Sequence, residues 1–210
     1  MKIVATVVNA REAALAAGLG PDLLEVRIDL MDANPEEEIP SIRSAGKRPI
    51  ILTNRSTAEG GRFRGDPGEW WDILRPLLRF GDLVDVEMPF STFATEIRRQ
   101  GKKIIASYHT DTMPTVGDLS RTALELRRYG DIPKIVVRPG NEHDLLALLA
   151  FTLEAEKPIC TGVLGEAYRY ARVILPFFGS ELAYTHAGTP AAPGQLSLED
   201  FRKIQALLRT

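Results

Sequence analysis

The chain has 210 residues, 44% hydrophobic and 26% charged, with a formal net charge of −2; that is ordinary for a globular protein and argues against a nucleic-acid or anionic-membrane binder. The lone cysteine, Cys160, has no partner for an internal disulfide, which fits a reducing cytoplasm. The opening run meets Arg11 and Glu12 too soon for a signal peptide, and no stretch approaches the length needed to span a bilayer.

Short apolar runs recur along the chain, most of them rich in valine and isoleucine, and each predicts a strand. The first is Lys2 to Val8, followed by helical spacing at Ala13, Leu15, Ala16 and Leu19. The second, Leu23 to Ile28, carries Glu25, Arg27 and Asp29 at alternate positions, which places all three on one face. Residues 35–46 are faintly helical. Pro49 to Thr53 is the third strand, and Asp66-Pro67 then marks a capped helix start. Trp70, Ile73, Leu74, Leu77 and Leu78 continue that helix. Leu83 to Met88 is the fourth strand, with a faint helix over 91–100. Lys103 to Tyr108 is the fifth, followed by a helix over Leu119 to Arg128. Lys134 to Val137, Pro158 to Val163 and Glu181 to Thr185 complete the strands, with helices over Leu145 to Glu156 and Leu198 to Leu208.

Eight strands alternating with helices imply a parallel sheet with crossover helices. Eight units close most economically into a single (β/α)8 TIM barrel spanning residues 1–210. The alternative is an open doubly wound sheet, which usually has a glycine-rich loop after its first strand; Asn9-Ala10-Arg11 offers none.

In a barrel the chemistry lies at the carboxyl ends of the strands. Glu25 and Arg27 on the inward face predict a charged network that holds a polar ligand, or else a self-satisfied ion pair. Arg55, after the third strand, can grip a carboxylate with two parallel hydrogen bonds, and Gly60-Gly61 lets backbone approach closely. Asp85 and Glu87 share a face of the fourth strand. His109 ends the fifth, a position suited to proton transfer. His143 sits at a helix start and reads as solvated, whereas His186 can be either. Lys134 heads a buried strand, where desolvating an ammonium is costly and favours the neutral amine, a nucleophile toward ketones; the bland alternative is a lysine that snorkels to water. Lys2 and the Lys102-Lys103 pair are its rivals. The loop from His186 to Gln195 is built of small and turn-forming residues and reads as a lid carrying Gln195. Neither metal-ligand spacing nor a nucleotide-binding glycine motif accompanies these residues. The set suits imine chemistry on an anionic, hydroxylated small molecule.

Six segments in register then carry a resemblance over nearly the whole chain. They are Glu25-Val26-Arg27-Ile28-Asp29, Asn54-Arg55-Ser56 with Glu59-Gly60-Gly61, Val84-Asp85-Val86-Glu87, Ser107-Tyr108-His109, Ile132-Pro133-Lys134 and Ala192-Pro193-Gly194-Gln195. Together they resemble the type I 3-dehydroquinate dehydratases of the shikimate pathway. The resemblance implies a homodimer of (β/α)8 barrels that uses no cofactor and acts on 3-dehydroquinate. It implies Lys134 as the Schiff-base lysine, His109 as general acid and base, and Glu59 as the carboxylate that orients His109. Glu25, Arg27, Arg55, Arg172 and Gln195 are implied as substrate-binding residues, with Arg169 a rival to Arg172. One departure is Ala191, where many members carry a lid serine, with Thr189 a possible substitute. Two other readings stand beside it: another class I Schiff-base lyase or aldolase, and a ligand-binding barrel without catalysis.

Overall fold

The computed structural model describes residues 1–208. Eight parallel strands, β1 (Lys2–Val7), β2 (Leu23–Arg27), β3 (Ile50–Thr53), β4 (Leu83–Glu87), β5 (Lys103–Thr110), β6 (Ile132–Val137), β7 (Cys160–Val163) and β8 (Leu182–His186), pair in the order β7-β6-β5-β4-β3-β2-β1-β8. The order is sequential except that β8 returns to β1, with Ala5 opposite Thr185, so the sheet curls into a barrel. Among the described residues β7 and β8 share no ladder. They meet at one bridge, Ile159 with Ser180, and through the Ser180 hydroxyl, which accepts from Thr161 N at 3.0 Å and donates to Thr161 O at 3.2 Å.

The helices on the outside are α1 (Ala10–Leu19), α2 (Pro35–Gly46), α3 (Pro67–Leu74), α4 (Ala94–Arg99), α5 (Val116–Arg127), α6 (Glu142–Glu154), α7 (Ala171–Ile174) and α8 (Leu198–Leu208). Outward strand residues such as Ala5, Leu24, Val26, Leu52, Val84 and Ile104 pack against Ala13, Ile39, Ile42, Trp70, Leu74 and Ile97. A second cluster joins Ile135 and Val137 to Leu119, Leu126, Leu148 and Phe151. The strand period of two turns the intervening residues inward, where they stack in layers. The lowest layer is apolar: Val4, Leu23, Ile51, Ile105, Cys160 and Leu182. The next residue inward on each strand is polar on seven of the eight, giving Thr6, Glu25, Thr53, Asp85, Ser107, Lys134 and Tyr184. The apolar plug therefore carries a charged floor, and the site stands on it.

Three elements differ from the sequence reading for identifiable reasons. The helix expected to run through Leu78 ends at Leu74 and continues as a 3-10 turn, Arg75–Phe80. Pro76 has no N–H to continue the α-helical ladder, and its ring crowds the preceding turn. Strand β6 begins at Ile132, so Lys134 lies inside it rather than at its head; Pro133 masks the start of the strand. The faint pattern over 91–100 resolves into a 3-10 turn, Met88–Phe93, followed by the six-residue α4.

Helix α3 starts with a reciprocal cap. Asp66 Oδ1 accepts from Glu69 N at 2.9 Å, and Glu69 Oε2 accepts from Asp66 N at 2.9 Å. The helix carries Trp70, which is fully buried, stacks on Phe90 at 4.6 Å and donates its indole N–H to Asn54 O. Replacing Asp66 with Ala is expected to lower unfolding free energy by about 1 kcal/mol; a urea melt that superimposes on wild type would show that the cap is idle.

Candidate active site

Lys134 projects from the middle of β6 into the barrel and is only 4% exposed. Among the described residues it is the one buried lysine; Lys2 and Lys103 are exposed and Lys102 is half-buried. Its Nζ donates to Asp85 Oδ2 at 3.0 Å, lies 3.8 Å from Glu25 Oε1, and sits 4.0 Å from the centre of the Tyr184 ring. Glu25 is held from its other sides, accepting from the Thr6 hydroxyl at 2.8 Å and the Thr53 hydroxyl at 3.1 Å. These partners offset the desolvation that an isolated ammonium would suffer.

Arg55 is the hub of the neighbouring charges. Its Nη2 donates to Asp85 Oδ1 at 2.7 Å, and its Nη1 meets Ser107 Oγ at 2.9 Å, Glu87 Oε1 at 3.0 Å and Glu59 Oε2 at 3.1 Å. Burial works against the guanidinium charge, but Asp85, Glu87 and Glu59 outweigh it and raise Arg55 above its ordinary range. Burial likewise opposes the Asp85 charge, and Arg55 and Lys134 overcome it, holding Asp85 well below the usual carboxylate range. Asp85 thus joins the arginine hub to the lysine and is a fixed anion.

Glu59 and His109 form the third part. Glu59 lies in a 3-10 turn, Thr57–Glu59, whose loop folds back so that Phe63 N donates to Arg55 O at 3.0 Å. Gly60 takes a left-handed φ of 83°, and a Cβ on Gly61 would meet Arg55 O at 2.1 Å. The glycine pair therefore lets the loop approach its own strand end, which sets Glu59 in place. Glu59 Oε2 lies 2.7 Å from His109 Nδ1, leaving Nε2 as the free ring nitrogen. Burial pushes His109 well below the usual imidazole range, and Arg55 and Lys134 add to the push. Burial raises Glu59 to about 8; Arg55 pulls the other way, while Glu87 and Asp85 add to the rise. The ring is thus kept neutral, as a proton acceptor must be.

These groups line a cavity of about 450 Å³ at the carboxyl ends of the strands, a volume suited to a small molecule. Glu25, Arg27, Arg55, Glu59, His109, Lys134, Arg172 and Gln195 all face it, so every site residue expected from sequence converges there. Arg172, from α7, is the cation left open. Its Nε is buried without a hydrogen-bond partner among the described residues, its Nη2 reaches only Pro193 O at 3.4 Å, and burial lowers it to about 10. Arg169, its rival, is exposed and does not line the cavity. Gln195 folds its amide inward, donating to Thr6 Oγ1 at 3.1 Å and Thr185 O at 3.0 Å and accepting from Ala191 N at 2.8 Å. Ala191 lines the cavity and Thr189 does not; Thr189 N is tied to Glu12 Oε1 at 3.1 Å. His143 is exposed at the start of α6, and His186 Nδ1 pairs with Gly188 O at 2.7 Å.

One expectation needs correcting. Glu25 and Arg27 do not pair with each other. Two residues along a strand is about 6.6 Å, so they lie in different layers, and Arg27 instead makes a two-pronged pair with Asp29, at 2.9 and 2.8 Å. Asp29 lies beyond the strand in a 3-10 turn, Ile28–Leu30, and also accepts from the loop amides Arg55 N and Arg62 N. Sequence reasoning placed Asp85 on one face of its strand without making it the lysine's partner, and gave Ser107 and Tyr184 no role. The inward alternation of β4, β5 and β8 was the signal that could have found them.

The family model described as type I 3-dehydroquinase matches residues 3–210. The chain belongs to the type I 3-dehydroquinases. A 3-dehydroquinate dehydratase of Methanoregula boonei is 50% identical over 208 residues, covering 99% of this chain and 100% of that protein. The crystal structure of 3-dehydroquinate dehydratase from Geobacillus kaustophilus superposes with a TM-score of 0.90 at 28% identity, covering 99% of this chain and 91% of that one. A type I 3-dehydroquinate dehydratase from Clostridium difficile, solved with covalently modified comenic acid, gives a TM-score of 0.85 at 25% identity, covering 99% and 91%. Among type I 3-dehydroquinases, then, this chain has a barrel whose cavity holds a buried lysine and a carboxylate-held histidine.

The neutral imidazole is directly observable. Nitrogen-15 spectra at about pH 6, where an unperturbed histidine is largely protonated, are expected to show His109 uncharged; an imidazolium signal from it there would contradict the electrostatic account.

Proposed function

We propose that the protein removes water from 3-dehydroquinate to give 3-dehydroshikimate, in the shikimate route to aromatic amino acids, through an imine on Lys134. The observation that carries this reading is one cavity in which a buried lysine, a neutral histidine held by Glu59 and an arginine whose Nε has no partner among the described residues converge. A barrel that only bound ligand would need neither the lysine nor the Glu59–His109 pair.

The reaction follows from the positions of the groups. Lys134, as the free amine, attacks the C3 ketone, and water leaves to form the imine. Protonated, the imine draws electrons from the adjacent carbon and acidifies the C2 hydrogen. His109 Nε2 takes that proton while its Nδ1–H donates to Glu59 in its ionised form, so ionised Glu59 sets the ring's tautomer and aim. Electrons move into an enamine and then expel the C1 hydroxyl, which leaves as water with the proton His109 returns. Water then hydrolyses the imine and frees Lys134. Arg172 meets the substrate carboxylate, which supplies the partner its Nε lacks. Glu25, Arg27 and Arg55 face the hydroxylated ring, and Gln195 covers it from the last loop. With Ala191 in place of serine, one hydroxyl contact is absent, a difference of about 0.5–1.5 kcal/mol that falls on KM.

Borohydride added with 3-dehydroquinate is expected to fix a covalent mass on Lys134 and abolish activity. His109→Ala should still form the imine but lose about 10²–10⁴-fold in turnover. An adduct on any other residue, or normal turnover in His109→Ala, would remove the mechanism.

We infer further that the protein works in the cytoplasm as a homodimer. The lone thiol supports the compartment. The dimer is supported by α6, whose segment from Leu145 to Leu153 bears no charge and leaves Leu146 and Leu153 61% and 56% exposed on one face. No helix among the described residues is long and apolar enough to cross a membrane. Sedimentation velocity should give a dimer that Leu146→Glu combined with Leu153→Glu splits; a monomeric wild type ends this reading.

A further inference from the structure

We propose that Tyr184 is the positioning residue of Lys134, and that its ring face holds the lysine nitrogen as a cation, first as ammonium and then as protonated imine. The inference rests on the imine reading of Lys134. Tyr184 stands on β8, opposite Val4 of β1 and across the unladdered seam from β7. Its ring lines the cavity and packs on the apolar floor, with Lys134 Nζ 4.0 Å above the ring centre. That is well within the distance at which an aromatic face attracts a cation.

The phenol itself explains little of this contact. Its hydroxyl is buried and makes no hydrogen bond among the described residues, so it neither anchors the ring nor grips the lysine. Burial, with Glu25, Cys160 and Asp85 nearby, also keeps the phenol neutral, so no phenolate attracts the nitrogen. What remains is the ring face. A buried hydroxyl without a partner is a standing penalty, and it is tolerated at the position whose face meets the reacting nitrogen.

The chemistry gives that face a specific use. An ammonium has three N–H donors, and Asp85 takes one at 3.0 Å. The ammonium gives up a proton to attack the ketone as the free amine, and once water departs the nitrogen is positive again, as a protonated imine with a single N–H. Carboxylates that hold the ammonium through hydrogen bonds lose most of their geometric grip at the moment the charge becomes the electron sink. Attraction to a ring quadrupole needs no N–H. It therefore follows the charge from one species to the next, while the fixed ring keeps the nitrogen over the cavity rather than against Glu25.

The test separates ring from hydroxyl, and both from simple packing. Tyr184→Phe, the conservative variant, is expected to retain kcat to within about twofold, whereas Tyr184→Leu loses about tenfold. Fluorinated phenylalanines placed at position 184 keep the ring's shape while draining its face of negative potential. With each added fluorine, kcat and the yield of borohydride-trapped imine at Lys134 should fall stepwise with the thermal midpoint unchanged. The fluorine series decides the matter even where Tyr184→Leu fails to fold. A flat series, or a Tyr184→Phe variant as damaged as Tyr184→Leu, overturns the inference. Absence of any Lys134 adduct in the wild type would instead overturn the imine reading on which it rests.

Discussion

Charge cannot be taken out of water without a partner, and the upper half of this barrel depends on that constraint. Four carboxylates, Glu25, Glu59, Asp85 and Glu87, share the interior with two cations, Lys134 and Arg55. Arg55 holds three of the four, and Asp85 links it to the lysine. Breaking one member of such a network strands the others, which is worse than never having buried them. The strands must therefore keep the register that sets Thr53 beside Asp85, Glu87 beside Ser107 and Ser107 beside Lys134. A slip of one residue would turn all of them outward into the helical shell.

Burial, together with these neighbouring charges, sorts the protons. Asp85 is pinned as an anion between two cations, whereas Glu59, at the edge of the network and near Glu87, is the carboxylate that gives way and rises to about 8. Burial prevents His109 from charging, and Arg55 and Lys134 add to the effect. Carboxylates and cations are thus driven apart in function by their neighbours rather than by their chemical type. A rigid polar floor permits this because its dipoles and charges are set before any ligand enters.

The strand positions were legible because parallel strands buried on both faces leave runs of valine and isoleucine. The lysine, the histidine and the order of the motifs were legible for a related reason: few residue types can do imine and proton-transfer chemistry, so they stand out at strand ends. Partnerships were not legible. Alternation placed Glu25 and Arg27 on one face but said nothing of height, and height is what gave Arg27 to Asp29. Asp85 reads as one of several inward carboxylates until β4 is placed between β3 and β5. The tyrosine on β8 lies 50 residues from the lysine it faces, a contact that only closure of the barrel creates. Pro76 and Pro133 misled in opposite ways, the first by ending a helix whose apolar rhythm continues and the second by hiding a strand that begins before it.

The incomplete ring has a geometric meaning. Lys134 belongs to the arc of strands that ends at β7, whereas Tyr184, Gln195 and the last loop hang from β8, which is stitched to β1. The nucleophile and its cover therefore stand on opposite lips of a slot, not on adjoining rungs of one ladder. The slot is tied at its base by Ser180, which bonds to both the N–H and the carbonyl of Thr161, by Glu181 N on Ile159 O, and by Cys160 Sγ, which donates to Leu182 O. The ties lie at the foot of the slot, and the ladder-free stretch lies above them, on the side where the cavity opens.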